Sequence, residues 1–315
     1  MVPINFEYDP KFLEEEVRDG HLITKKMKKL WLVQMDILNM FINFCDKHGL
    51  TYWAEGGTLL GAVRHKGYIP WDDDIDILMM RDDYEKFISL AEKEFEYPYY
   101  IESKYESGTF AKIKRLDTTK LKEKIPYIKT PISKPACIGI DIFCADNCPD
   151  DENERSDFYV NDILPAWRAY ALAKNEYSKE FFNEKKTKAD IDALYEDIVK
   201  KYFEFENACM EYNDQHTNYI FNSGFPQFPI EEGHLRYRED YDESIYLPFE
   251  MLSLRCPKGY ERVLDMHYTQ RNGIPWQTPV KNFAYHDQEV DEFIDVDKSY
   301  IEYTTPLFVR NWDTE

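Results

Sequence analysis

The spacing of apolar and polar positions divides the chain into stretches of different character. Between residues 24 and 48, Met27, Leu30, Trp31, Val33, Leu38, Phe41, Ile42 and Cys45 recur at helical intervals, and Lys47-His48-Gly49 closes the segment with basic residues and a glycine stop. Similar patterning predicts helices over 11–19, 59–65 and 82–95. Strand-like runs lie at 50–54, 74–79 and 138–143, with two more within 97–116. Residues 117–136 read as a basic loop broken by Pro126, Pro131 and Pro135, and 152–213 as mostly helical with a charged stretch at 184–190. From about Asn222 onward, Pro, Gly and aromatic residues are frequent and periodicity is weak. These elements predict an α+β protein: a core over 1–150 with N-terminal helices and a small mixed sheet, a helical insertion over 151–221, and an irregular part over 222–315 that folds back on the core.

Composition narrows the partners. The chain has 315 residues with 39 Lys+Arg against 60 Asp+Glu, a formal charge of −21. Such a surface repels nucleic acid and anionic lipid, so no nucleic-acid partner is expected. No run approaches the ~18 apolar residues of a membrane span, and the opening residues lack a signal-peptide pattern. The six cysteines do not form a secreted disulfide framework, so a reduced, cytoplasmic setting is expected.

Candidate chemistry concentrates in Trp71-Asp72-Asp73-Asp74-Ile75-Asp76-Ile77-Leu78. On a strand, Asp74 and Asp76 share one face, ~6–7 Å apart along it, while Ile75 and Ile77 enter the core. A second strand, Gly139-Ile140-Asp141-Ile142-Phe143, sets another carboxylate among apolar neighbours. Asp74, Asp76 and Asp141 together predict a site for Mg²⁺ or Mn²⁺, with Asp72 and Asp73 left to a solvated turn. An EF-hand fails on spacing, because its glycine and glutamate positions hold Ile77 and Asp83. A helical Asp-Asp-x-x-Asp diphosphate site conflicts with Pro70 and the alternating isoleucines. The Asp-x-Asp of a nucleotide-sugar glycosyltransferase stays open on spacing alone.

Upstream, Gly56-Gly57-Thr58 lies between a strand and a helix, where Gly57 and Thr58 can meet a phosphate. Residues 112–134 form a basic island in this acidic chain. Lys112 and Lys114 alternate with Ile113 and so share a strand face, Arg64 and His65 precede the acidic strand, and the lysines from Lys120 onward read as an ordinary solvated loop.

The stretch from Gly57 to Asp76, GTLLGAVRHKGYIPWDDDID, closely resembles the signature of the LicD family, which includes bacterial phosphorylcholine transferases and is related to fukutin-type ribitol-phosphate transferases. Ile140-Asp141-Ile142-Phe143 with Asp146 is similar to the family's second acidic block; Phe249-Glu250, Pro257-x-Gly259-Tyr260 and His286 match weaker C-terminal features. Two departures are Cys144, where the family has Pro, and Tyr268-Thr269 in place of Tyr-Gly. The resemblance implies a nucleotidyltransferase-like core and transfer of a phospho-alcohol, phosphocholine first, from a CDP-activated donor to a sugar hydroxyl of a cell-surface glycan or its precursor, with release of CMP. Such an acceptor can be lipid-linked, which would place the enzyme at the inner membrane face. It further implies catalytic and metal roles for Asp74, Asp76 and Asp141, and phosphate contacts from Gly57, Thr58, Arg64, His65, Lys112 and Lys114. Trp71, Tyr268 and Trp276 are candidates for an aromatic cage around choline, and His286 for the acceptor side.

Two further readings belong beside this one. Cys137, Cys144 and Cys148 are close enough in sequence to contribute to a structural zinc site, although their spacing is not that of a standard zinc module. The alternatives are a metal-dependent glycosyltransferase using a nucleotide sugar, or a degenerate sugar- or partner-binding protein that retains the fold.

Overall fold

The computed structural model describes residues 2–102, 108–122, 135–181, 183, 185–271, 273–280 and 292–303. The fold is of the expected α+β class. A mixed sheet is assembled from β3 (Trp53–Ala54), β4 (Asp76–Met80), β5 (Tyr99–Glu102), β6 (Ala111–Arg115), β8 (Gly139–Cys148), β9 (Tyr219–Asn222) and β10 (Leu235–Tyr237). β8 is its axis. One edge of β8 pairs in parallel with β4, which carries β3 on its far side. The other edge pairs antiparallel with β6 through residues 139–142 and with β9 through residues 145–148.

Helix α1 (Lys25–His48) packs under this sheet. Thr24 caps it by accepting from the Met27 amide at 3.2 Å, and Gly49 ends it at a φ of 63°. Its apolar stripe supplies Leu30, Trp31, Leu38 and Phe41, all with no solvent exposure. Trp31 stacks on Tyr68 at a centroid distance of 4.5 Å. Helix α2 (Gly56–Arg64) and helix α3 (Arg81–Glu94) follow β3 and β4 directly. A second apolar cluster lies between helices α4 (Glu152–Phe158), α5 (Leu164–Glu180) and α6 (Lys188–Cys209) and the outer end of the sheet, with Cys148, Phe221 and Leu235 contributed by β8, β9 and β10.

Four expectations need correction. The segment 11–19 is not a helix: a short 3-10 turn at Pro10–Leu13 is followed by a hairpin of β1 (Glu16–Arg18) and β2 (His21–Ile23). The cause is Asp19-Gly20, which take φ values of 48° and 74°, the left-handed pair that turns a two-residue hairpin. Helix α2 begins at Gly56 rather than Leu59, so the glycine pair forms its first turn. The region expected as a basic loop contains β7 (Thr119–Lys122), paired with β13 (Glu292–Asp295); residues 123–134 lie outside the described part. The C-terminal part, expected to be irregular, contributes β9's partner β10, a hairpin of β11 (Ser244–Phe249) and β12 (Leu252–Pro257), and helix α7 (Tyr260–Leu264). Short strands of three to six residues leave little room for periodicity to register.

Candidate active site

The sheet register places the chemistry. Asp76 on β4 lies opposite Asp141 on β8, Asp141 lies opposite Lys112 on β6, and Lys112 lies opposite Glu102 on β5. One row across four strands therefore reads carboxylate, carboxylate, ammonium, carboxylate on a single face. The Lys112 ammonium donates to both oxygens of Asp141, at 2.7 and 2.9 Å.

The acidic loop ahead of β4 is held from below by α1. The Trp31 indole N–H donates to the Asp72 carbonyl at 2.8 Å, and the Gln34 amide donates to the Asp73 carbonyl at 2.7 Å. Thr58 accepts from the Asp76 amide at 2.8 Å. This hydroxyl, expected to face phosphate, is buried and fixes the start of β4. Gly57 is required by close approach: a Cβ there would sit 2.6 Å from an Asp72 carboxylate oxygen. The Asp72 carboxylate thus lies where a phosphate was expected.

Asp72 and Asp73, expected in a solvated turn, are both buried. Among the described residues, Asp72, Asp73 and Asp74 form the group of acidic side chains whose oxygens come within 4.8 Å of one another. Asp74 also faces Asp141, and Asp76 faces Asp74, Asp141 and Glu55. Burial, then mutual repulsion, pushes Asp72 and Asp76 well above the usual carboxylate range and Asp74 above it. The counter-charges are few. Lys120 pairs with Asp73 at 2.9 Å, and Arg236 with Glu55 at 2.5 Å. Lys120 is therefore no solvated loop residue. Five aspartates converging with so little compensation fit a hard divalent cation, whose charge would remove their repulsion.

The remaining predicted residues divide. Lys114 pairs with Glu102 and donates to the Pro135 carbonyl at 2.8 Å rather than to an aspartate of the cluster. His65 pairs with Asp19 at 2.8 Å. Arg64 donates to the carbonyls of Trp276 and Thr278, at 2.6 and 3.2 Å, so it anchors the C-terminal segment. Tyr268 does reach the site: Asp72, Asp76, Glu55 and Asp74, after burial, drive its hydroxyl far up. Trp71 is buried edge-on against His21, and His286 lies outside the described residues. Cys137, Cys144 and Cys148 are buried free thiols, and burial pushes Cys137 up to about 12.

The sequence reading missed Lys120, Glu55, Arg236 and His267. The Arg236 guanidinium can only donate, so the His267 Nδ1 at 3.0 Å accepts; burial beside Arg236 holds this ring neutral. Only Glu55, directly before the glycine pair, carried a signal in its position.

Residues 49–143, which span β3 to the middle of β8, match the family model described as LicD/FKTN/FKRP, nucleotidyltransferase domain. Lipopolysaccharide cholinephosphotransferase LicD of Haemophilus influenzae is 28% identical over 280 residues, covering 84% of this chain and 98% of that protein. Ribitol 5-phosphate transferase FKRP of Homo sapiens is 54% identical over 42 residues, 13% of this chain and 8% of that protein. An uncharacterized protein of Rickettsia prowazekii, RP689, is 41% identical over 70 residues, 22% of this chain and 25% of its own length. Residues 49–143 thus match the nucleotidyltransferase domain of the LicD family, and over most of its length the chain is similar to a LicD protein.

Proposed function

We propose that this protein transfers a phospho-alcohol, phosphocholine in the first instance, from a CDP-activated donor to a hydroxyl of a glycan or glycan precursor. The observation that carries the reading is the row Asp76–Asp141–Lys112 beside the Asp72–Asp74 loop, within the segment that matches the nucleotidyltransferase domain. The likeness to a cholinephosphotransferase over most of the chain favours choline.

Asp74, Asp76 and Asp141 would hold Mg²⁺ or Mn²⁺, with Asp72 and Asp73 close enough to share the load. A cation so bound neutralises the donor diphosphate and polarises its phosphorus–oxygen bonds. The protein's own residues do the rest. Lys112 and Lys120 present ammonium groups at the rim of the same carboxylates and balance the phosphate charge. The acceptor oxygen attacks the phosphorus bearing the alcohol, the bond to the CMP oxygen breaks in line, and the acceptor proton passes to a carboxylate of the cluster. Catalysis rests on positioning and electrostatics.

A melting assay with Mg²⁺ and CDP-choline, CDP-ribitol, CDP-glycerol or a UDP-sugar tests this reading. At a hundredfold excess over Kd, a true donor should add about 2.7 kcal/mol of stability. Protection by the UDP-sugar alone would transfer the assignment to a glycosyltransferase.

A further inference from the structure

A cavity of about 390 Å³ opens between helix α5 and the segment 108–110 that leads into β6. From α5 it is lined by Trp167, Ala171, Lys174, Asn175 and Ser178, residues spaced by four, three, one and three, which puts them on one helix face. Small Ala171 at the centre of that stripe leaves the space. Across the gap stand Thr109 and Phe110, and Tyr170 closes one wall. The walls are fixed: the Tyr170 hydroxyl donates to the Gly108 carbonyl at 3.1 Å, and the Thr109 hydroxyl to the Gly224 carbonyl at 2.6 Å.

Phe110 joins this cavity to the catalytic row. The Lys112 ammonium, which bridges the Asp141 carboxylate, lies 4.9 Å from the Phe110 ring centroid. A ligand against Phe110 is therefore separated from Asp141 by one ring and one ammonium group. The lining also selects chemistry. Lys112 faces Phe110, and Lys174 lies 5.4 Å from the Tyr170 centroid, so two of three aromatic rings already face ammonium groups. A quaternary ammonium would meet like charge there. A neutral polyhydroxylated ring is suited to both parts of the lining. Its C–H face covers Trp167 or Phe110, and its hydroxyls bond to Asn175, Lys174 and the Thr109 oxygen.

We infer that this cavity is a carbohydrate subsite in which the helical insertion seats a sugar ring of the acceptor. The inference rests on the proposed transferase reading, which supplies the need for an acceptor. Saturation-transfer NMR with lactose and the methyl glycosides of an N-acetylhexosamine and a hexuronic acid tests it. Wild-type protein should transfer saturation to ring protons of at least one of these. Ala171→Phe, which fills the space, and Asn175→Ala, at an exposed position, should each cut that signal several-fold, with circular dichroism reporting the fold. If Ala171→Phe does not fold, Asn175→Ala decides. No signal from any of the three saccharides, or a signal that survives the folded variants, overturns the subsite. The donor reading is checked separately by the CDP-choline melting shift of the wild type. Saccharide binding without that shift would sink the donor assignment and leave the subsite standing.

Discussion

At the scale of residues, the protein concentrates negative charge where it can be neutralised only partly from within. Asp72, Asp74 and Asp76 bind protons more tightly in the folded chain than their ordinary value of 3.8, so the sign of the linkage is clear. Their contribution to metal-free stability is fully present below that value and is lost as pH rises through the raised values. Unfolding followed from pH 4 to 8 should show metal-free stability declining with pH on their account, and stabilisation by Mg²⁺ growing over the same interval. Mg²⁺ stabilisation that does not change with pH would contradict the cluster as its site. Gly57→Ala separates site from scaffold. Its Cβ would displace the Asp72 carboxylate, 2.6 Å away, so Mn²⁺ affinity by calorimetry should fall roughly tenfold, about 1.4 kcal/mol. Stability should change little, because alanine favours the helix by ~0.5–1 kcal/mol over glycine. The spacing of Asp76 and Asp141 was readable because strand alternation isolates each among isoleucines, whereas Asp74, expected on the same strand as Asp76, lies in the loop just before β4. The burial of Asp72 and Asp73 was not, because it depends on Trp31 and Gln34 reaching from a helix about forty residues earlier.

At the scale of elements, Arg81 ties three of them together. At the start of α3, its guanidinium donates to Asp146 on β8 at 2.6 and 2.8 Å and to Glu206 on α6 at 2.7 Å. Arg81→Ala would leave two buried carboxylates without their cation, at a cost of about 3–5 kcal/mol by denaturant unfolding. Arg81→Lys should recover only part of this, because an ammonium cannot reproduce the paired contacts to Asp146. The main helix, the acidic strand and its partner were legible because each is long or strongly patterned. The hairpin at 16–23 was misread although Asp19-Gly20 marks it. Its flanking strands are three residues each, too short to outweigh a loose helical spacing.

At the scale of the whole molecule, the C-terminal part is the lock on the signature segment. Glu250, at the turn between β11 and β12, accepts from Arg18 at 2.6 and 3.1 Å and from the Tyr68 amide at 3.2 Å, and packs against Gly67. Arg64 binds the segment at 276–278. Such contacts join residues more than 180 apart, so no local pattern announces them. Glu250→Ala should therefore lower stability by about 1.5–3 kcal/mol, and limited proteolysis should show looser protection of residues 65–70. The net charge of −21 describes the surface of this molecule. Its chemistry is set by the local exception, a carboxylate cluster with Lys112 and Lys120 at its rim.

The central claim is that this cluster drives phospho-alcohol transfer, and CMP release from CDP-choline in the presence of Mg²⁺ and an acceptor glycan measures it most directly. The wild type should release CMP in proportion to phosphocholine gained by the acceptor. Asp76→Asn, folded by circular dichroism, should lose at least a hundredfold in rate, about 2.7 kcal/mol of transition-state stabilisation. Equal turnover by Asp76→Asn and wild type would contradict the account.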